Sequence, residues 1–549
     1  MKKLTIVSAV GFGLAVAAYA PAAFADSYPI VTKSAMPSAP PAPATCGSIW
    51  DFAFTSCPLT WYGFTVYGTV DMGGSYMTHG TPFDPNFPTG AGYLLGAGGT
   101  GATNRLAGFF PGPNGLSQSN IGIKWNEPVG AGWAVIGQAE LAFDPYSLLL
   151  SNAPQAMQNS IGQAENTQAL PYDSSRWGWL AGQIYTGVSN PTWGTLTFGR
   201  TNALLNDAIV AYDPMGASYA FSPIGFSGKT AGAGDTEDAR WTTAIRYRVN
   251  VGSIRLAAMV QPIFGTQYWG YNPNNGAFAA GIGGDVRGIG PGVLSMDFFG
   301  TYERDAVNIT AVYGGAAGNP FGPAQGTALG WPTTFPAGFL KATISNQTSF
   351  MWVGKYSFGS YAPAPVVGKE PPPPSGIPLT LYWGYEFINF ANPSDSQSAF
   401  RDDGFLFAGP IPAGAGAGAV VPSANGTVIQ NNAFNISCGS GTGCFSENFQ
   451  VLWTGAKYGI TKDLDVITGW YHFIQSTYVT GVSCSPANAP NNSRCAGWMD
   501  VASVVLDWRF LPKWDAYIGT MYSAAFGGVA NADIARTNLA TTAGVRFRF

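Results

Sequence analysis

Histidine is the side chain that most readily moves protons near neutral pH, and the sequence has two, His79 and His472. His79 follows Thr78 in a glycine-rich stretch, and His472 follows Tyr471 in an apolar one. Neither has a serine or aspartate companion in a recognised setting, so no nucleophile is paired with a base. Gly228-Lys229-Thr230 invites a phosphate-cradle reading. That loop needs a glycine five places before Gly228, and the place holds Pro223. The cysteines fall as three close pairs: Cys46 and Cys57, Cys438 and Cys444, Cys484 and Cys495. None has the Cys-x-x-Cys spacing and no histidine lies beside them, which argues against zinc. Six cysteines permit 15 pairings. Neighbours closing small loops is the economical choice, in an oxidising compartment. These residues predict no enzyme, no cofactor and no metal.

Arginine is more informative. In Arg240-Trp241-Thr242-Thr243-Ala244-Ile245-Arg246-Tyr247-Arg248-Val249, Arg240, Arg246 and Arg248 take one face, and Trp241, Ile245, Tyr247 and Val249 the other. That period of two is the signature of a strand. The chain ends the same way, with Val545, Phe547 and Phe549 on one face and Arg546 and Arg548 on the other. Ile121, Ile123 and Trp125 alternate with Asn120, Lys124 and Asn126, and Val504, Leu506 and Trp508 with Ser503, Asp507 and Arg509. An arginine facing lipid near the bilayer midplane costs roughly 2–4 kcal/mol. A row of them would cost as much as a whole domain is stable by, so the arginine faces look into water.

The elements that carry this pattern must be membrane-spanning strands. Charged residues are 10% of the 549-residue chain, against about 25% in a typical soluble domain. Hydrophobic residues are 46%, with 17 Trp, 25 Tyr and 35 Phe. Past the first twenty-odd residues no run long enough for a transmembrane helix occurs. A barrel interleaves its apolar residues with polar ones. The net charge of −4 argues against nucleic acid as a partner. Residues 1–25 read as a cleaved export signal: Lys2 and Lys3, an apolar stretch from Leu4 to Ala18, and Ala23-Phe24-Ala25 before the cut. Residues 26–58 form a separate periplasmic segment, with a Pro/Ala-rich linker from Ala35 to Ala44 and a small apolar loop between Cys46 and Cys57.

From residue 59 to 549 the pattern predicts an all-β, antiparallel, up-and-down transmembrane barrel of about sixteen strands. The predicted strands are 60–71, 118–127, 131–143, 177–188, 193–201, 240–250, 252–262, 293–301, 305–314, 345–358, 377–389, 447–459, 464–475, 498–510, 514–525 and 538–549. Tight turns, among them one at Tyr302-Glu303-Arg304, alternate with long Gly/Pro/Asn/Ser stretches such as 72–117, 144–176, 263–292, 315–344 and 390–446. With both ends periplasmic the long stretches lie outside, and Gly359 to Gly376 is an excursion on the short-turn side. Strands 464–475 and 514–525 have ambiguous faces. Trp61, Tyr62, Trp133, Trp193, Trp514 and Phe549 suit interfacial girdles.

Tyr67-Gly68-Thr69-Val70-Asp71 resembles the Tyr-Gly-x-x-Asp opening of Gram-negative general diffusion porins, and Gly194-Thr195-Leu196-Thr197-Phe198-Gly199-Arg200 resembles their strand before the constriction loop. The N-terminal Cys/Pro segment is similar to that of rhizobial-type alphaproteobacterial porins. The resemblance implies a homotrimer of sixteen-stranded barrels that passes small hydrophilic solutes and ions. It implies contact with outer-membrane lipid and lipopolysaccharide, and a terminal Phe549 read by the barrel assembly machinery. It also implies that the third loop, 201–239, folds inward. Asp207, Asp213, Asp235, Glu237 and Asp238 of that loop would then face Arg200, Arg240, Arg246, Arg248 and Arg255 of the wall and set a transverse field across the passage. Arg200 shares parity with Leu196 and Phe198, so a kink at Gly199 is needed to aim it inward. A substrate-specific channel, for sugars for example, and a surface adhesion or structural barrel remain the alternatives.

Overall fold

The alternating C-terminal segment becomes the strand that closes a ring. The computed structural model describes residues 46–78, 107–112, 114–143, 145–146, 182–218, 220–224, 240–262, 276–313, 338–359, 377–391, 420–423, 426–429, 447–477, 484–485, 495–528 and 536–549. In chain order they form α1 (Ile49–Phe54), β1 (Leu59–Trp61), β2 (Phe64–Met77), β3 (Gly108–Pro111), β4 (Asn120–Gly130), β5 (Trp133–Ala142), β6 (Ile184–Asn190) and β7 (Gly194–Asn202). Then come α2 (Leu204–Tyr212), β8 (Arg240–Val251), β9 (Ile254–Gln261), β10 (Ala277–Arg287), β11 (Val293–Tyr313), β12 (Gly338–Ser357) and β13 (Leu379–Ala391). The last are β14 (Val420–Ser423), β15 (Gly426–Ile429), β16 (Glu447–Gly459), β17 (Leu464–Gln475), β18 (Gly497–Leu511), β19 (Trp514–Gly527) and β20 (Thr537–Arg548).

Sixteen of these strands, β2, β4 to β13 and β16 to β20, pair antiparallel in order, and β20 returns to pair with β2 from Thr69↔Arg548 to Met77↔Ala540. Closure leaves no edge unpaired, as a hydrocarbon environment demands. Where β20 ends, β1 takes over the exposed edge of β2 through Val66↔Leu59, Thr65↔Thr60 and Phe64↔Trp61. β3 pairs at the other end of β2, and β14 and β15 form a separate hairpin. Short connections such as 131–132, 191–193, 252–253 and 512–513 lie at one end, where β12 also ends and β13 begins; the expected excursion from Gly359 to Gly376 falls, beyond Gly359, outside the described residues. Cys46 is bonded to Cys57 and Cys484 to Cys495. Cys438, Cys444 and the export segment lie outside the described residues.

Two expectations about the wall are corrected, and they offset each other in the strand count. Residues 277–287, expected as loop, form β10. Its outward residues Phe278, Ile282 and Val286 are exposed. Its inward positions are Ala277, Ala279, Gly281, Gly283 and Asp285, and a Cβ at Gly281 or Gly283 would collide with Phe299 or Asp297 of β11. That side, small residues ending in an aspartate, lacks the bulky β-formers that announce a strand. Residues 293–301 and 305–314, expected as two strands, are the single β11. The predicted turn is a register slip between Glu303 and Ala306, a bulge that re-aims a side chain without ending the strand. The loop expected over 315–344 is also shorter, since β12 begins at Gly338. A further correction concerns Trp241. It does not share the outward face of Ile245 and Tyr247 but is buried, donating from Nε1 to Glu303 Oε1 at 3.0 Å. The pairing passes from Gly199↔Ala244 to Thr201↔Trp241, so β8 carries an extra residue that reverses its parity there.

Candidate functional site

After β7, Leu204-Leu205-Asn206-Asp207-Ala208-Ile209-Val210-Ala211-Tyr212 is rich in good helix formers and forms α2. Asp207 lies in the first turn, at the positive end of the helix dipole. Asp213 ends the helix, its carboxylate accepting the backbone N–H of Met215 at 3.3 Å and of Ala217 at 2.7 Å. Leu204, Leu205, Ala208, Ile209, Ala211 and Tyr212 are all buried. A helix apolar on so much of its surface has to be enclosed.

Its contacts run along one wall. Asp207 accepts from Arg246 Nη1 at 3.1 Å, from Arg248 Nη2, and from Asn202 Nδ2 at 2.9 Å. Tyr212 donates its hydroxyl to Asp297 and accepts from Arg255 Nη2 at 3.1 Å. Arg255 also reaches Asp297 Oδ1 through Nε at 3.1 Å and Asp285 Oδ1 through Nη1 at 2.5 Å. Lys355 Nζ donates to Ala211 O at 3.2 Å, and Trp453 Nε1 to Tyr212 O at 3.1 Å. Tyr471 donates to Asp213 Oδ1 at 2.5 Å. Further on, Pro214 lies against Gly455 and Phe221 against Gly519, where any Cβ would collide with them. Phe221 meets Tyr517 edge-on at 6.0 Å, and Ala220 N donates to Gly115 O at 3.0 Å. Tyr517 donates to Asp71 Oδ1 at 2.6 Å, and Asp71 Oδ2 receives Leu116 N and Ser117 N.

The two carboxylates of this segment are tuned oppositely. Burial alone would raise Asp207, but the guanidiniums of Arg248 and Arg246 outweigh it and hold the carboxyl below the usual range. Among the described residues no cation lies beside Asp213; burial raises its pKa, and the bonds from Tyr471, Ser222 and the backbone offset only part of that.

The predicted site residues thus divide. Asp207, Arg246 and Arg248 meet in direct contact rather than across a gap. Arg255 joins the wall carboxylates Asp297 and Asp285, and Asp213 joins Tyr471. Gly199 has a positive φ of 132° at a register slip, yet Arg200 sits opposite Ile184 and donates from Nε to Gly182 O at 3.1 Å. Asp235, Glu237 and Asp238 lie outside the described residues, as does the side chain of Arg240.

Sequence reasoning missed the opposite wall. There Lys124 lies over the Tyr67 ring at 5.5 Å, and Tyr67 donates to Glu140 Oε2 at 2.9 Å. Arg546 Nε and Arg548 Nη2 hold Asp515 at 2.8 and 3.0 Å. The signal was present, since Lys124, Arg546 and Arg548 already stood on inward faces. Tyr212, Asp297 and Tyr471 gave less warning, because an isolated tyrosine or aspartate carries no spacing. His472 does have a carboxylate partner, contrary to expectation: Nδ1 lies 2.8 Å from Asp500 Oδ1 on the adjacent strand. The pair takes the outward parity of β17 and β18, away from the lumen cluster.

A family described as Gram-negative porin matches residues 13–359. None of the curated proteins compared with the chain matches it. Among solved structures, the anion-selective porin from Comamonas acidovorans aligns at 13% identity and TM-score 0.48, over 88% of this chain and 99% of that one. OmpT, an outer membrane protein of Vibrio cholerae, aligns at 11% and 0.45, over 90% and 99%. Salmonella typhi OmpF in complex with daunomycin aligns at 9% and 0.42, over 89% and 98%. Because the family match covers more than half of the chain, and the wall it describes is a closed barrel of sixteen antiparallel strands, the chain belongs to the Gram-negative porins, outer-membrane channels for passive diffusion.

Proposed function

We propose that small polar solutes and ions pass between two unlike walls of this barrel. One is covered by the segment 203–224; the other is the part of the inner face around Lys124 and Asn126 on β4, which the described residues leave exposed. The observation that carries this reading is the path of the segment. It touches Arg246 and Arg248 on β8, Arg255 on β9, Asp297 on β11, Lys355 on β12, Trp453 on β16, Tyr471 on β17 and Tyr517 on β19. On the other side Lys124 and Asn126 stay exposed. The segment narrows the lumen, and the residual charges on the two walls set ion preference, as rows of charge do in pores. No chemistry is done on the solute. Residues 1–25 serve export, and the resemblance to porins favours a homotrimer.

Planar-bilayer recording of the purified protein tests this directly. Open channels that close in steps of three are expected, and absence of conductance contradicts the reading. Arg246→Gln with Arg248→Gln leaves the Asp207 carboxylate without its two cations, so the reversal potential moves toward cation preference. An unchanged reversal potential removes these residues from the narrow part of the passage.

A further inference from the structure

Cys46 and Cys57 close a loop around α1, their Cα atoms 5.2 Å apart. Three sets of contacts fix this loop to the base of the barrel. Lys513 Nζ donates to Phe52 O at 2.9 Å and to Cys57 O at 2.8 Å. Trp514 Nε1 donates to Ala53 O at 2.8 Å. The Phe52 ring meets Phe547 at 5.6 Å and Phe549 at 5.3 Å, both edge-on. Trp514 and Phe547 carry the outward parity of β19 and β20, and Phe549 lies over Gly68 on the same side. The loop therefore sits on the outside of the barrel, at its short-turn end.

Helix geometry then decides what α1 shows to its surroundings. With Phe52 turned to the barrel, Trp50 and Phe54, four residues apart, share another face. They stack with centroids 5.6 Å apart and planes 13° apart. Ile49 is 76% exposed, Trp50 70% and Phe54 44%. Asp51 is the only charged residue of the helix. This apolar face continues an aromatic chain on the lipid side: Phe549 to Phe547 at 5.5 Å, Phe547 to Trp514 at 4.5 Å, Trp514 to Phe510 at 6.4 Å and Phe510 to Trp508 at 5.5 Å. Aromatic rings of this kind settle at the headgroup level of a bilayer.

We propose that the loop 46–57 is a membrane foot, and that Ile49, Trp50 and Phe54 enter the boundary between headgroups and acyl chains of the periplasmic leaflet, with phospholipid as the occupant. Continuity with the lipid-facing aromatic chain selects lipid over a protein partner. The disulfide keeps the short helix closed, so the aromatic pair is presented in one orientation. The foot also covers the terminal Phe549, coupling the start of the described chain to the seam at which β20 meets β2.

The test places a photoreactive benzoylphenylalanine at Trp50, or at Phe54 as a second site, in the full-length processed protein. The protein is reconstituted in liposomes containing radiolabelled phosphatidylethanolamine, and a lumen probe at Asn126 sets the background. Irradiation is expected to attach labelled lipid to the chain from both α1 positions. The labelling is expected to fall to the lumen background when Cys46 and Cys57 are both replaced by serine. Crosslinks that join two copies of the chain, or lipid labelling no higher than at Asn126, overturn the proposal. Conductance recorded on the same vesicles shows whether the barrel itself has assembled, so failure of the foot is distinct from failure of the channel.

Discussion

The two walls of the lumen obey different rules. On β2, β4, β5 and β20 the inward side chains include the polar Lys124, Tyr67, Glu140, Arg546 and Arg548, as expected of a surface that faces water, while Asp71, Ser75, Met77, Ala540 and Thr542 of the same strands are buried. On β12, β13 and β16 to β18 the inward side chains include Met351, Val353, Ile388, Phe449, Val451, Phe473, Met499 and Val501, all buried. They form one apolar cluster with Leu204, Leu205, Ile209, Phe221 and Ile224. Facing the lumen is therefore not the same as facing water. Where the segment 203–224 covers these residues, the strands bury apolar side chains on the inner side as well, as strands in a soluble core do.

The covered wall should be the more fragile to loss of its buried polar groups. The largest loss is expected at Arg255, which lies buried between Asp285, Asp297 and the Tyr212 hydroxyl. Arg255→Ala leaves two carboxylates facing each other without their cation, and removing one member of a buried charge cluster costs about 3–5 kcal/mol. Denaturant or thermal unfolding of the folded barrel measures it. A change near zero breaks the comparison, since it puts Arg255 in water. Next is Tyr471→Phe, which takes one of the donors from the buried Asp213 carboxylate and leaves it the backbone N–H groups of Met215 and Ala217; one hydrogen bond contributes about 0.5–1.5 kcal/mol net. The channel should also become noisier, because Asp213 ends α2 and steadies the turn that follows.

This contrast explains which parts of the fold could be read in advance. Segments whose inner face meets water, such as 538–549 and 120–126, announce themselves through alternating charge. Segments 464–475 and 514–525 had ambiguous faces because Tyr471, Phe473, Tyr517 and Met521 point inward to a packed partner. β10 was invisible because its inner face is mostly glycine and alanine, which are weak strand formers; at Gly281 and Gly283 the neighbours Phe299 and Asp297 leave no room for a Cβ. The bulge at Glu303 and the extra residue in β8 depend on partners distant in sequence, so no local pattern encodes them. At the site, Asp207 with Arg246 and Arg248 was legible from charge, whereas the wall partners Asp297, Tyr471 and Lys355 become neighbours only after closure.

The opposite tuning of Asp207 and Asp213 predicts a smaller, pH-dependent effect. The pKa of Asp213 is raised in the folded protein, so the folded state holds the proton more tightly than the unfolded chain. Its contribution to stability therefore falls as pH rises from the ordinary carboxylate value of about 3.9 through the raised one. Asp207 is lowered, so its contribution is present above that ordinary value and is lost as pH falls through the lowered one. Asp213→Asn removes only the first of these. Melting temperatures measured across the acid to neutral range should show Asp213→Asn gaining on the native protein as pH rises. A constant difference between the two curves refutes the burial assigned to Asp213.

The smallest effect belongs to the bare wall, and salt separates it from the other. Lys124 is exposed on its inward side and has no carboxylate within ion-pair distance among the described residues. Lys124→Gln removes one positive charge from the passage, so the reversal potential should move slightly toward cations. Screening acts on such a charge in full, because the Debye length shrinks from about 10 Å at 0.1 M salt to about 3 Å at 1 M. The shift caused by Lys124→Gln should therefore fade as salt is raised over that range. The shift caused by Arg246→Gln with Arg248→Gln should persist better, since Arg246 is only 5% exposed and buried charges are screened less. Equal fading of both shifts would mean that the two walls meet the same water, and the distinction between a covered and a bare side of the lumen would have no electrical consequence.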